Sequence, residues 1–457
     1  MREEKSQNKG VLISCMATGF LITFVGSALN LSIPDIGMSF QASAQNVGWV
    51  ITCYVLFSSA FAVPFGKAAD IVSRRPIYIW GNIIFSLGLL WSALAGSLGM
   101  LLVARAFTGF GAAMIFSSNI AILVCAYPAH MRGKMLGLAT ASVYAGLSLG
   151  PVLGGICNHY VGWRGVLYVT FGVSIVSCLL AWLKTPKDGE GRRFHAKSFD
   201  FGGSFLFVAM LIAALVGFSS MESYRYWWII ALAGLCFGIA FVKWELFTEN
   251  PVVKVGLFIK NPAYGRFNLV ALLNYGSTFT TIYFASIYLQ VVKGFSSQVA
   301  GIILLAQPLI MTILSPLSGR LSDKYSPYLF VRLGMIICAV ALLGFSALSV
   351  DTPVWALMGV LALTGVGTSI FGPPITNLVV SGVEKEDYGV ATSMLATMRN
   401  IGQTVSMAIV TVVVGVYMGD LALNQATPQL LTRTMHGCFL IFAGVCAVGT
   451  LISSKRK

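Results

Sequence analysis

The sequence predicts an all-α membrane protein: two six-helix bundles with pseudo-twofold symmetry and two inserted helices between them, about fourteen transmembrane helices in all. Three observations predict it. Of the 457 residues 57% are hydrophobic and only 10% charged, apolar runs of span length recur along the whole chain, and short motifs return at a nearly constant offset.

Composition comes first. An ordinary soluble domain carries about 25% charged residues. Mean hydropathy here is +0.82, and no water-soluble fold of this length could hide so much apolar surface, so lipid must cover part of it. A span needs about 20 mostly apolar residues. On that rule spans are expected near 11–32, 46–66, 77–96, 98–122, 135–157, 164–183, 201–218, 227–244, 267–290, 298–318, 329–349, 354–380, 391–415 and 435–453. The first run, Val11–Leu31, follows a charged N-terminus but is too long for a signal-peptide core and lacks a small-residue cleavage site, so it reads as a span.

Charge placement sets the orientation. Of the 30 Lys and Arg residues, 24 fall in one alternate set of connections and tails, including Lys67, Arg74, Arg75, Arg132, Lys134, Arg320, Lys324 and Lys385. The other set holds only Arg164, Arg225, Lys293 and Arg433. Positive charge concentrates on the cytoplasmic side, which predicts cytoplasmic termini on a multi-pass protein of the cell membrane. Arg105 and Arg399 remain, both inside spans.

The repeat fixes the organisation. Gly66-Lys-Ala-Ala-Asp70 recurs as Gly319-Arg-Leu-Ser-Asp323, 253 residues later. Thr108-Gly109-Phe110-Gly111 recurs as Thr364-Gly365-Val366-Gly367, and Gly133 and Gly146 fall opposite Gly389 and Gly402, all 256 residues apart. Two six-helix halves of one design follow, 1–184 and 266–457, with an inserted helix pair and its linkers at 185–265. Parallel halves of this kind place a substrate site between them near mid-bilayer.

Several chemistries find no support. Nine scattered cysteines show neither a disulfide framework nor metal-ligand spacing. No phosphate-binding loop of the Walker type is present, and no nucleophile–base pair stands out. The four histidines fall in loops or near span ends. An enzyme, a metal site, a cofactor and a nucleic-acid partner are therefore not expected, and the protein is expected to work as a monomer.

Three motifs carry chemistry. In Gly66-Lys-Ala-Ala-Asp70-Ile-Val-Ser73-Arg74-Arg75 a helix-end Asp beside two Arg can make charge-assisted bonds and neutralise a neighbouring helix terminus. Arg105-Ala-Phe-Thr-Gly109-Phe-Gly111 puts an Arg inside the fourth span, where insertion costs roughly 2.5–3.5 kcal/mol and acceptors are needed. In Gly146-Leu-Ser-Leu-Gly150-Pro151-Val-Leu-Gly154-Gly155 glycines four apart allow close helix approach, and Pro151 removes a donor and bends the helix.

Taken together these motifs resemble the major facilitator superfamily, most of all its fourteen-span drug:proton antiporter branch, over essentially the whole chain. Asn30-Leu-Ser-Ile-Pro34, Trp49-Val-Ile-Thr52-Cys-Tyr54 and Arg399-Asn400-Ile-Gly402 add to the likeness. The resemblance implies the major facilitator fold and a multidrug-efflux type of function. It implies a conformational latch at Gly66, Asp70, Arg74 and Arg75, with Asp323 in the degraded second copy, and proton coupling through Arg105 and Asp70. It also implies an antiporter motif at Gly146, Gly150, Pro151, Gly154 and Gly155. Ser73 stands where the family usually has Gly, so that turn must be made differently.

Polar residues at mid-span depth are the candidates for a substrate cavity: Asn30, Tyr54, Arg105, Asn119, Asn274, Gln307 and Arg399. Many members of the branch carry an Asp in the first span; here Phe24, Val25 and Gly26 occupy that stretch, and none of the sixteen carboxylates is mid-span. Proton coupling therefore comes from the resemblance, and neutral or anionic substrates are favoured. The expected partners are a small-molecule substrate, protons and membrane lipid. An uptake symporter, a lipid or lipid-linked-sugar flippase and a non-transporting receptor or scaffold stay open as alternatives.

Overall fold

Helices account for nearly all of the described chain. The structure, a computed structural model, describes residues 2–30, 32–42, 44–186, 199–219, 226–253, 261–418 and 427–454. The basic linker around Arg192 and Arg193 lies outside them. In chain order the α-helices are α1 (Arg2–Asn30), α2 (Ile33–Phe40), α3 (Ala44–Ala60), α4 (Ala62–Ile71), α5 (Arg74–Ala93), α6 (Leu98–Ala126), α7 (Arg132–Lys184), α8 (Phe201–Ser219), α9 (Trp227–Phe247), α10 (Pro262–Ile287), α11 (Ser297–Leu304), α12 (Ala306–Lys324), α13 (Pro327–Ser346), α14 (Val354–Ser381), α15 (Tyr388–Met418) and α16 (Pro428–Ser454).

Local sequence explains the helix starts. Ser97 accepts from the Met100 amide at 3.2 Å to begin α6, and Asn261 accepts from Tyr264 at 3.2 Å to begin α10, with Pro262 in the first turn. Such caps satisfy amides that have no partner within the helix. Within α7 the dihedrals stay helical through Pro151 and break only at Gly162, at φ 72° and ψ 174°. L side chains avoid that region, so glycine is needed there. The second arm of α7 turns back along α1, and Lys184 arrives beside Gly10.

Among the described residues ten helices are long and apolar enough to cross a membrane, fewer than the spans expected from sequence. Part of the difference is length, since both arms of α7 form one helix here and the apolar stretch of α8 is short. Polarity removes α10, where Asn268, Asn274 and the hydroxyls of Ser277, Thr278, Thr280 and Thr281 are buried against protein. The remaining one, α15, contains side chains that lie outside the described residues.

Two large apolar clusters organise the molecule. One is built mainly from residues of α1 to α7, and the other from residues of α10 to α16. A third, smaller cluster joins Phe207 and Leu211 of α8 and Phe241 of α9 to Ala60 and Val63 of one half and Met394 of the other. In the first half a buried polar knot ties three helices. Thr18 meets Tyr78 at 2.7 Å and Ser177 at 2.9 Å, binding α1 to α5 and to the second arm of α7. Satisfied bonds of this sort contribute about 1 kcal/mol each and fix which helices are neighbours.

Candidate functional site

The two halves are pinned together at the face where the Lys- and Arg-rich connections lie. Asp70, next to last in α4, accepts from the amides of Gly389 and Val390 in the first turn of α15, both at 3.0 Å. Arg74 pairs with the same carboxylate at 2.8 Å and also donates to the Lys385 carbonyl at 2.5 Å. Opposite, Asp323 of α12 accepts from the amides of Gly133 (2.7 Å) and Lys134 (2.8 Å) in the first turn of α7. Helix starts expose free N–H groups and the positive end of the helix dipole. Each half thus offers a carboxylate to a helix start of the other.

Contacts this close need bare backbone. A Cβ on Gly66 would collide with the Gly389 carbonyl, and one on Gly319 with the Gly133 carbonyl. Arg75 turns instead to the Trp182 and Thr185 carbonyls of its own half, both at 3.0 Å, and fixes the end of α7. Ser73 sits at φ 168° and ψ 145°, extended backbone that any residue adopts. No glycine is needed where the family usually has one.

Cross-half hydrogen bonds continue to mid-depth. Thr392 donates to the Ser117 carbonyl at 3.4 Å, and the Asn400 amide donates to the Ser59 hydroxyl at 2.6 Å. The conformation is closed at its basic face.

At mid-depth two arginines stand in different surroundings. Arg105 is 1% exposed; its Nε donates to the Val50 carbonyl at 3.1 Å, and its guanidinium lies 4.6 Å from the ring centroid of Tyr54. Arg105 Nη1 and the Tyr54 hydroxyl have no hydrogen-bond partner among the described residues. Arg399 is half-buried, 5.7 Å from the ring centroid of Phe116, and acts electrostatically on Tyr54, Tyr144 and Tyr275. The carboxylates of the described residues lie at helix ends or in connections.

The other sequence candidates divide. Asn119 donates to the Cys15 carbonyl at 3.2 Å and ties α6 to α1. Asn274 is fully buried and donates to the Met335 sulfur at 3.1 Å, and Gln307, 4% exposed, accepts from Thr281 at 3.5 Å. Both contact residues of their own half; the sequence holds no cue to which side of these helices faces the centre. The side chain of Asn30 lies outside the described residues. Sequence reasoning missed Ser59, Phe116, Tyr144 and Tyr275. An aromatic ring inside an apolar run reads as core packing, and nothing in the spacing distinguishes these three.

The Gly-Pro motif forms a helix seam. Gly146, Gly150 and Gly154 lie on one face of α7 against α1, where Cβ atoms would meet the Phe20 carbonyl, Ser27 with the Phe24 carbonyl, and Ala28 respectively. Ser27 donates to the Gly146 carbonyl at 3.3 Å and Thr23 to the Val143 carbonyl at 2.9 Å. Pro151 and Gly155 flank the seam, half-buried.

Comparison with known proteins agrees with this architecture. The riboflavin transporter RibZ of Clostridioides difficile (strain 630) is 26% identical over 446 residues, spanning 97% of this chain and 96% of its own. The multidrug resistance protein Stp of Mycobacterium tuberculosis (strain CDC 1551 / Oshkosh) is 27% identical over 444 residues, 93% of this chain and 80% of its own. The solved structure of the proton:xylose symporter XylE superposes with a TM-score of 0.70 at 12% identity, over 98% of this chain and 95% of that one, which shows a shared fold. The chain is a multi-pass membrane transporter, not an enzyme. Since the profile of that family matches residues 15–249 and 267–455, the chain belongs to the Major Facilitator Superfamily.

Proposed function

We propose that this transporter exports small amphipathic molecules by alternating access, in exchange for protons moving inward. The observation that carries the reading is the Gly146, Gly150, Gly154 seam with Pro151, packed on α1. It resembles the antiporter signature that exporters carry and uptake members generally lack. The multidrug resistance name of Stp supports the same direction.

In this reading fourteen spans cross a cell membrane with both termini cytoplasmic. α3 with α4 and α11 with α12 each serve as one span, the two arms of α7 as two, and α2 lies at the outer face. Residues 1–184 and 266–457 rock as units, and 185–265 supplies the inserted pair. Asp70 with Arg74, and Asp323, hold the cytoplasmic face shut while the substrate leaves outward. Releasing both opens the inner face. Arg105, held by Val50 and Tyr54, and Asp70 take the proton-coupling roles that the resemblance implies.

Accumulation of a fluorescent dye in cells tests the proposal. Expression is expected to lower accumulation, and collapsing the proton gradient to restore it. Raised accumulation on expression would establish uptake instead.

A further inference from the structure

We propose that Arg399 is the subsite for the anionic group of the transported molecule, with Phe116 packing against an aromatic body. The carrier then takes planar anions in preference to cations. The inference rests on the transport reading above and names the substrate class for it.

The first argument is a guanidinium that no protein acceptor claims. From Val390 to Leu395, and at Thr397, α15 is buried, and Arg399 turns into the half-buried sector where the two halves meet. A guanidinium has five N–H donors and no acceptor, and at this depth it needs partners. Arg105 has the Val50 carbonyl and the Tyr54 ring, although its Nη1 has no partner among the described residues. Arg399 lies over the face of Phe116, and among the described residues no carboxylate or carbonyl accepts from it.

The second argument is the neighbouring polar groups. The Tyr54 hydroxyl, within electrostatic reach of Arg399, is buried without a partner. So is the hydroxyl of Ser406, two turns along the same face of α15. Buried polar atoms without partners are costly and therefore uncommon. An oxygen-rich ligand would accept from the guanidinium and from both hydroxyls.

Charge and shape complete the argument. Two fixed cations, Arg105 and Arg399, occupy mid-depth without a carboxylate among the described residues there, so a cation is repelled and an anion attracted. Charges about 10 Å apart in a partly buried site change affinity by roughly tenfold. Phe116, 5.7 Å from the guanidinium, supplies an aromatic surface beside the charge for a flat molecule. An inside-negative potential favours outward movement of an anion, which suits a carrier lacking a mid-depth acid.

The test is equilibrium binding to the full-length protein in uncharged phosphatidylcholine nanodiscs, read by fluorescence polarisation. The probes are fluorescein and a rhodamine, which share a xanthene ring system but carry opposite charge. Wild type is expected to bind fluorescein at least about tenfold more tightly. Arg399→Gln is expected to lose that preference through weaker fluorescein binding, and Arg399→Lys to keep part of it. Phe116→Leu, which leaves the charge in place, is expected to weaken both probes alike. Equal binding of the two dyes, no binding of fluorescein, or unchanged fluorescein binding in Arg399→Gln overturns the proposal. Should Arg399→Gln fail to fold, the wild-type ratio and Arg399→Lys still decide. Dye preference without any change in cellular accumulation removes export and keeps the subsite; efflux of rhodamine but not fluorescein does the reverse.

Discussion

The Asp323 carboxylate accepts from the Gly133 amide at 2.7 Å, and the internal repeat maps this contact onto that of Asp70 with Gly389. One duplicated segment therefore produces two cross-half contacts, because each half contributes both a carboxylate and a bare helix start. They are not equivalent. Asp70 also carries Arg74, whereas the same offset puts Pro327 at the matching place after Asp323.

Neutralising either acid should loosen its own latch. A hydrogen bond to a charged group contributes about 1.5–3 kcal/mol, so Asp70→Asn should speed amide exchange at Gly389 and Val390 by about tenfold or more. Asp323→Asn should do the same at Gly133 and Lys134. Hydrogen–deuterium exchange of the two segments measures each effect separately, and dye efflux is expected to fall in both variants.

The seam of α7 with α1 tolerates no added bulk. Gly150→Val should lower stability by about 1–3 kcal/mol through overpacking against Ser27 and Phe24. Gly26→Ala, on α1 with nothing within 4 Å of its new Cβ, should leave stability unchanged or slightly raised. Thermal unfolding in detergent compares the two.

Arg105 is held by geometry as much as by charge. Arg105→Ala should abolish efflux while membrane insertion stays intact, since the Val50 bond and the Tyr54 face are both lost. Arg105→Lys keeps the charge but not the planar fork, and should retain only part of the activity. Dye accumulation together with the amount of protein in the membrane fraction separates transport from folding.

Gly162 turns the chain between the two arms of α7. Gly162→Ala forces an L side chain to φ 72° and should cost about 1–3 kcal/mol. Gly172→Ala, ten residues on in the second arm and open around its Cβ, is the matched control. A lower thermal midpoint in the first and not the second is the expected result.

Sequence showed the two acids and Arg74 of the cross-half contacts but not what they hold. Asp70 and Arg74 stand out because charge at a helix end has few uses, while their partners are backbone amides, which leave no side-chain signature. Only the spacing of Gly133 and Gly389 hinted at them. Arg105 was legible for its cost in lipid. Asn274 and Gln307 face their own bundle, since a polar residue inside a span can turn there as readily as to the centre. Phe116 gave no signal for the opposite reason, as an apolar residue among apolar neighbours.

The inserted pair has a consequence for motion. α8 packs on both α3 and α15, and Phe207, Leu211, Ala60, Val63 and Met394 share one apolar cluster. In the proposed rocking motion, parting α4 from α15 would shear one of those faces, so the pair would ride with one bundle and slide on the other. Methionine, unbranched and polarisable, suits a surface that re-forms contacts as it slips. On the opposite side Leu153 of α7 and Ile313 of α12 face outward uncovered. In that reading one flank of the carrier would be a protein joint, and the other an apolar surface left to lipid.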